Sequence, residues 1–307
     1  MKERLSTYGL PFALALSCIA LGFANPVFFS PSNLSNILLQ ASVNTIIALG
    51  MTFVIVSGGI DLSVGSIVAL SGMLLGTLLQ KQVPAPAAIA CTVLVGGFCG
   101  AITGTVIVRW SIPPFIATLG MMSAARGGAL MMTEGRSISG FSSAFVWLGT
   151  GSVLGLPIPA AVMLLLVALA GVTAAHTYWG LCVYAIGGNG RAAWLSGIRI
   201  RAYTASVYIL SGAASAVAAV FLTSRLNSAL PTAGSFYELD AIGAAAIGGA
   251  SLSGGAGSIA GTLFGALLIA VLKNGLSILN VSSYLQQIVV GVIIVTAVAL
   301  DRKRMPA

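Results

Sequence analysis

The sequence predicts an all-α membrane protein of about ten transmembrane helices, some broken or re-entrant, with both termini cytoplasmic. Three observations predict it. Of 307 residues, 58% are hydrophobic and only 7% are charged, whereas a soluble domain carries about 25% charged residues. Such a chain cannot cover its own surface with polar groups, so lipid is the solvent for most of it. Ten apolar runs alternate with breaks rich in turn residues, and the 14 Lys+Arg that produce the net charge of +8 are unequally shared between alternate breaks.

A membrane helix needs roughly 20 mainly apolar residues. The first run, Tyr8 to Phe28, follows Lys2 and Arg4 and lacks a convincing cleavage site, so it reads as a retained span. Asn25-Pro26 and Ser30-Pro31-Ser32-Asn33 break it with turn chemistry. Ile37 to Val56 follows, then the interruption Ser57-Gly58-Gly59-Ile60-Asp61-Leu62-Ser63, then Val64 to Leu79. Beyond the polar Lys81–Pro86 loop come Ala87 to Val108, Pro113 to Met132, Ile158 to Ala175, Tyr203 to Thr223, Ala241 to Leu252, Ile259 to Leu272 and Tyr284 to Leu300. The runs 241–252 and 259–272 are short and flank Ser253-Gly254-Gly255, which reads as a broken or re-entrant pair. Such backbone is tolerated in a membrane only inside protein or beside water.

With the N-terminus inside and ten crossings, nine cations fall inside: Lys2, Arg4, Arg109, Arg191, Arg199, Arg201, Arg302, Lys303 and Arg304. Four fall outside: Lys81, Arg136, Arg225 and Lys273. The excess obeys the positive-inside rule. The largest outside loop is then 133–157 and the largest inside loop 176–202. Neither is large enough for a separate domain, so residues 1–307 form one transmembrane unit.

Composition excludes several functions. The single histidine, His176, rules out a His-rich metal site, and the four cysteines form no CxxC pair. No G-x-x-x-x-G-K-[ST] loop is present to hold ATP. Neither a G-x-S-G nor a G-x-G-D protease motif occurs. The scattered cations give no basic patch for nucleic acid.

Glycines four apart, Gly96, Gly100 and Gly104, and again Gly257, Gly261 and Gly265, let helix backbones approach closely. They serve packing within the chain or a contact with a second chain. A weak internal echo pairs Gly58-Gly59-Ile60-Asp61-Leu62-Ser63 with Gly248-Gly249-Ala250-Ser251-Leu252-Ser253, and the ten-span count gives both copies one orientation. Broken helices at matching positions of related halves are a transporter pattern.

Asp61 is the most telling acid. A charge at membrane depth costs about 2.5–3.5 kcal/mol and needs a helix terminus, a partner or water. Asp61-Leu62-Ser63 can cap the helix starting near Val64, or serve a gate. Glu238 and Asp240 fall at the outer start of a span, and Arg126 in the outer half of its own, where it can snorkel outward or pair with Glu134. Asn44, Thr52, Ser57, Ser63, Ser66 and Thr118 are polar positions in apolar surroundings. Singly they suit helix-to-helix hydrogen bonds, and together with Asp61 they can line or gate a path for a neutral, hydroxyl-rich solute. In the inside loop, Asn189 can cap a short helix over 190–196 that Gly197 ends. That helix fits a docking knob for a soluble partner and equally an interfacial helix.

These motifs bring a family into view. Gly50-Met51-Thr52-Phe53-Val54-Ile55-Val56-Ser57-Gly58-Gly59-Ile60-Asp61-Leu62-Ser63-Val64-Gly65-Ser66 resembles the signature of the ribose-type ABC importer permeases. So do Tyr184–Asn189 with Leu195–Ile198, Pro231–Gly234, Tyr237–Ile242 with Gly248-Gly249, and Val281–Tyr284. The resemblance covers nearly the whole chain. It implies a subunit of the bacterial inner membrane that pairs with a second permease chain, identical or different. It further implies a cytoplasmic ATPase, often two fused halves, that holds the ATP and Mg, and a periplasmic sugar-binding protein. The chain itself would bind no cofactor. The segment 187–198 would be the coupling helix, with Gly188, Asn189, Arg191, Trp194, Leu195, Ser196 and Gly197 facing the ATPase. Two positions depart from the family pattern: Gly190, where many relatives carry an acid, and Tyr178, where many carry arginine. The competing functions are an ion-coupled secondary transporter and a permease for branched-chain amino acids.

Overall fold

The computed structural model describes residues 2–302, and within them the chain is an all-α membrane protein. The helices are α1 (Lys2–Ala24), α2 (Pro31–Val56), α3 (Val64–Gln80), α4 (Ala85–Trp110), α5 (Pro114–Met131), α6 (Ser143–Thr150), α7 (Ile158–His176), α8 (Tyr178–Gly188), α9 (Gly190–Leu195), α10 (Ile200–Leu226), α11 (Tyr237–Ile247), α12 (Ile259–Ile278) and α13 (Ser283–Arg302). A helix stands at each of the ten apolar runs. Among the described residues five of them, α2, α4, α7, α10 and α12, are individually long and apolar enough to cross a bilayer. Lys303 and Arg304 of the cation tally lie outside the described residues.

The core forms around α2. Every residue from Ala41 to Val56 is buried, as expected for a helix apolar on all sides. Ser30 caps its start by accepting the Asn33 N–H, with Pro31 at the first helical position. Its end is a glycine turn: Gly58 has φ +86°, the Gly58 N–H bonds the Ile55 carbonyl and the Gly59 N–H bonds the Val54 carbonyl. α11 ends the same way at Gly249, φ +88°, with Gly249 and Ala250 N–H groups on the Ala246 and Ala245 carbonyls. The sequence echo is thus a repeated helix-ending turn, one residue out of the sequence alignment. The Gly254-Gly255 turn that follows α11 touches the end of α2, because the Gly255 N–H donates to the Val56 carbonyl. They lie at the same end of the bundle.

Both glycine ridges pack inside the chain. A Cβ at Gly96, Gly100 or Gly104 would strike the α10 backbone at Gly212, Tyr208 or Ala205, and one at Gly261 or Gly265 would strike α11 at Gly248 or Ala244. Neither ridge is free for a second chain.

Three elements differ from the sequence expectation. α12 runs to Ile278 rather than stopping at Leu272, because its polar residues are satisfied inside the protein. Lys273 pairs with Asp240 of α11, and Asn274 exchanges hydrogen bonds with Asn33 of 3.0 and 2.8 Å. The long inside loop contains α8 in addition to the short helix the sequence predicts there, α9. The outer loop 133–157 holds α6 and two short antiparallel ladders, Ile138–Ser139 with Ser228–Ala229 and Ser152–Val153 with Leu156–Pro157.

Candidate functional site

Two breaks in the helices converge on the start of α3, one leading into it and the other packing on Gly65. The first is the 57–63 segment between α2 and α3. Asp61, 1% exposed, accepts from the Ser63 backbone N–H at 2.9 Å, the Ser63 hydroxyl at 2.6 Å and the Ser211 hydroxyl of α10 at 2.8 Å. Ser211 stands near the middle of the 27-residue α10, so the carboxylate lies deep in the bundle. Asp61 caps the turn rather than α3 itself. Ser63 is the N-cap and makes no side-chain capping bond, and Asp61, two residues earlier, reaches only as far as Ser63. Its second oxygen ties the break to α10. Beside it the Tyr208 hydroxyl is buried without a partner, and any Cβ at Gly59 would collide with it. The Thr118 hydroxyl of α5 reaches the Ile60 carbonyl at 3.3 Å.

The second break is the 227–236 segment before α11. Ala229 packs on Gly76 of α3, while Gly234 packs backbone to backbone on Gly65 in the first turn of α3. Those two points on α3 are eleven residues apart, about 16 Å at 1.5 Å per residue. The chain therefore descends from one end of the bundle toward its middle before α11 begins. α11 is only 11 residues long and starts at depth. Glu238 and Asp240 accordingly sit within the bundle rather than at its outer rim, with the Glu238 carboxylate beside Gly65 and Asp240 paired to Lys273. Arg126 neither snorkels nor pairs with Glu134. Its guanidinium donates to the carbonyls of Pro231 at 2.9 Å and Ala233 at 2.8 Å, holding the descending backbone where no helix satisfies it. Glu134 instead lies 4.0 Å from exposed Arg136.

The remaining polar candidates fall around these breaks or one turn from them. Ser63 and Ser66 are buried at the start of α3. The Ser57 hydroxyl donates to the Val54 carbonyl at 2.8 Å. The Thr52 hydroxyl donates to the Ala48 carbonyl and lies 2.7 Å from the Thr262 hydroxyl of α12. Asn44 is buried two turns earlier on α2. Ser211, Tyr208 and the Arg126 carbonyl partners escaped the sequence reading. For Ser211 a signal existed, since Ser211 and Ser215 are polar positions in an apolar run of the same kind as those noted on α2. Nothing in sequence marks which carbonyls Arg126 meets.

The 187–198 segment lies at the end of the bundle where α2 stops. Thr177 starts α8 by accepting the Gly180 N–H at 3.1 Å. Gly187, near the end of α8, packs so tightly that a Cβ would strike the Val56 carbonyl. The Tyr184 hydroxyl bonds the Gly257 carbonyl at 2.9 Å. Asn189 then caps α9 through its side-chain oxygen, which accepts the Ala192 N–H at 3.0 Å. The Gly197 N–H returns to the Trp194 carbonyl with φ +81°, ending the helix as its sequence anticipates. Ala193 is the buried anchor, while Trp194 and Leu195 are 66% and 72% exposed. Gly188, Arg191 and Ser196 are exposed around them.

A helical membrane bundle with two helix breaks converging on the start of α3 fits a membrane transport subunit. A family model described as branched-chain amino acid transport system / permease component matches residues 33–298, and the chain belongs to that family. It is 46% identical to the ribose import permease of Bacillus subtilis, covering 96% of this chain and 92% of the relative. It is 45% identical to the ribose import permease of Escherichia coli K12, covering 91% and 88%, and 40% identical to the D-allose transport system permease of the same organism, covering 96% and 91%. No solved structure matches the chain. The protein is a multi-pass permease component of the inner membrane.

Proposed function

We propose that this chain is the permease subunit of an ATP-driven importer for a monosaccharide or similar small polyol. The observation that carries this is 46% identity along nearly the whole chain to a ribose import permease, joined by a D-allose permease and a fructose permease at 40% and 37%. ATP and Mg are held by a cytoplasmic ATPase, either two fused halves or two separate chains, and a periplasmic sugar-binding protein delivers the solute. A second permease chain, identical or different, completes the complex. The ten helices at the apolar runs all cross or enter the membrane, with both termini cytoplasmic and α9 docking the ATPase. Asp61, Ser63, Ser66 and Thr118 around the first break, with Asn44, Thr52 and Ser57 on α2 and at its end, line the translocation path or gate it. The ATPase drives transport because ATP favours one of two conformations, and only such a differential affinity shifts their equilibrium.

Two alternatives are less well supported. A secondary transporter needs embedded ionisable groups for its coupling ion. Of the four embedded candidates, Asp61 is occupied by Ser63 and Ser211, Asp240 by Lys273 and Arg126 by two carbonyls, which leaves only Glu238, beside Gly65, without a salt bridge among the described residues. A branched-chain amino acid substrate suits the family description, but the relatives above are sugar permeases. The test is reconstitution of permease, ATPase and binding protein in vesicles. D-Ribose accumulation that requires ATP is expected. Uphill uptake by the permease alone under a proton or sodium gradient overturns the proposal.

A further inference from the structure

The descending segment before α11 has two unlike sides. Its inner side is fastened: Gly234 lies on Gly65, and Arg126 holds the Pro231 and Ala233 carbonyls. Its outer side is bare. Thr232 and Ser235 are exposed, Phe236 is 50% exposed and Leu239 is 48% exposed. Hydrocarbon does not tolerate irregular backbone with exposed hydroxyls at that depth, and such backbone persists only against protein or water. Phe236 also carries φ +69°, an unusual conformation for a bulky residue. It turns the chain sharply from the descending segment into α11 and leaves the ring on the bare side.

We propose that the outer side of residues 230–239 is a wall of the aqueous sugar path, with the Phe236 ring as the surface on which the solute slides. The inference rests on the importer function proposed above and adds the residues that touch the sugar. A monosaccharide has apolar C–H faces and a rim of hydroxyls. An exposed aromatic ring within four residues of Thr232 and Ser235 matches both, the Ser235 hydroxyl donating to the Thr232 carbonyl at 2.8 Å and keeping its lone pairs to accept, in the usual manner of a small-molecule site with few polar groups on an apolar lining. The exposed residues of the segment carry no charge, so a neutral solute meets no ion that would hold it. The acids nearby are turned inward, Glu238 toward Gly65 and Asp240 toward Lys273.

The experiment uses the whole importer in vesicles, with Cys18 and Cys91 replaced by Ser. Ser235→Cys is treated with a small charged methanethiosulfonate, with and without ATP. Labelling is expected in at least one of these states, and slower labelling when ribose-loaded binding protein is added. In parallel, Phe236→Gly keeps the positive φ and deletes the ring, while Phe236→Tyr keeps the ring. Ribose uptake is expected to fall at least tenfold in F236G and to stay within threefold of wild type in F236Y, with the ATPase co-purifying normally in both. Either of two results overturns the proposal: a Ser235→Cys thiol that never reacts, as when acyl chains or a second permease chain cover the face, or wild-type uptake by F236G. Labelling is read without transport. If it occurs while the wild-type importer moves no sugar, the wall is aqueous and the sugar assignment is what fails.

Discussion

Asp61 and Ser211, 150 residues apart in sequence, share a 2.8 Å hydrogen bond near the middle of α10. That bond fastens the break between α2 and α3 to the helix that packs beside both. Ser211→Ala leaves a buried carboxylate oxygen unpaired, a cost of about 1–3 kcal/mol. Asp61→Asn keeps an acceptor for Ser63 and offers Ser211 a donor, so it should cost less than Asp61→Ala, which strands both serines. Thermal unfolding of the purified permease checks the order. Equal losses for Asn and Ala would show that the charge, not the hydrogen-bond set, matters.

The Asn33–Asn274 exchange joins the start of α2 to α12, and Asn33 also donates to the Phe28 carbonyl at 2.8 Å. Asn33→Ala should therefore destabilise more than Asn274→Ala, each by about 1–2 kcal/mol. The double variant should lose less than the sum, since the shared pair is counted twice. Strict additivity in a double-mutant cycle would refute the coupling.

Gly187 and Gly190, three residues apart, should respond oppositely. A Cβ at Gly187 meets the Val56 carbonyl, whereas one at Gly190 meets open space. Gly187→Ala is expected to displace α9 and abolish ATPase co-purification. Gly190→Ala and Gly190→Asp should leave it unchanged, the acid sitting favourably in the first turn of α9. Loss at Gly190 would mean that the partner approaches this residue directly.

Leu195→Asp tests the knob itself. Burial of an apolar side chain against a partner contributes roughly 1.5–3 kcal/mol, and an aspartate there adds a desolvated charge. The variant should insert normally yet lose the ATPase and all uptake. Arg191→Ala should do less, because an exposed charge pair is typically worth under about 1 kcal/mol. An unaltered ATPase ratio on purification of Leu195→Asp moves the docking site elsewhere.

Sidedness has its own test. With a background lacking Cys91, Ser143→Cys on α6 should react with an impermeant thiol reagent in intact cells, and Ser196→Cys after α9 only once the inner membrane is opened. The reverse pattern would invert the bundle.

The membrane solvent, the ten helical positions and the capped helix α9 follow from local chemistry. Apolar runs must become helices in lipid because no other single segment satisfies its own backbone, and α2 ends at Val56 because glycine chemistry follows immediately. Asn189 and Gly197 bound α9 by caps that act within a few residues. What lay beyond sequence is everything set by partners distant along the chain. α12 outlasts its apolar run because Asp240 and Asn33 wait for Lys273 and Asn274. Arg126 finds carbonyls more than a hundred residues away. The short run at Ala241 becomes a half-helix starting at depth because Gly234 meets Gly65. Those outcomes depend on which polar groups find each other once the bundle closes. In lipid an unmet polar group is costly, so long-range pairing, and not local preference, decides where the helices break and where a path can open.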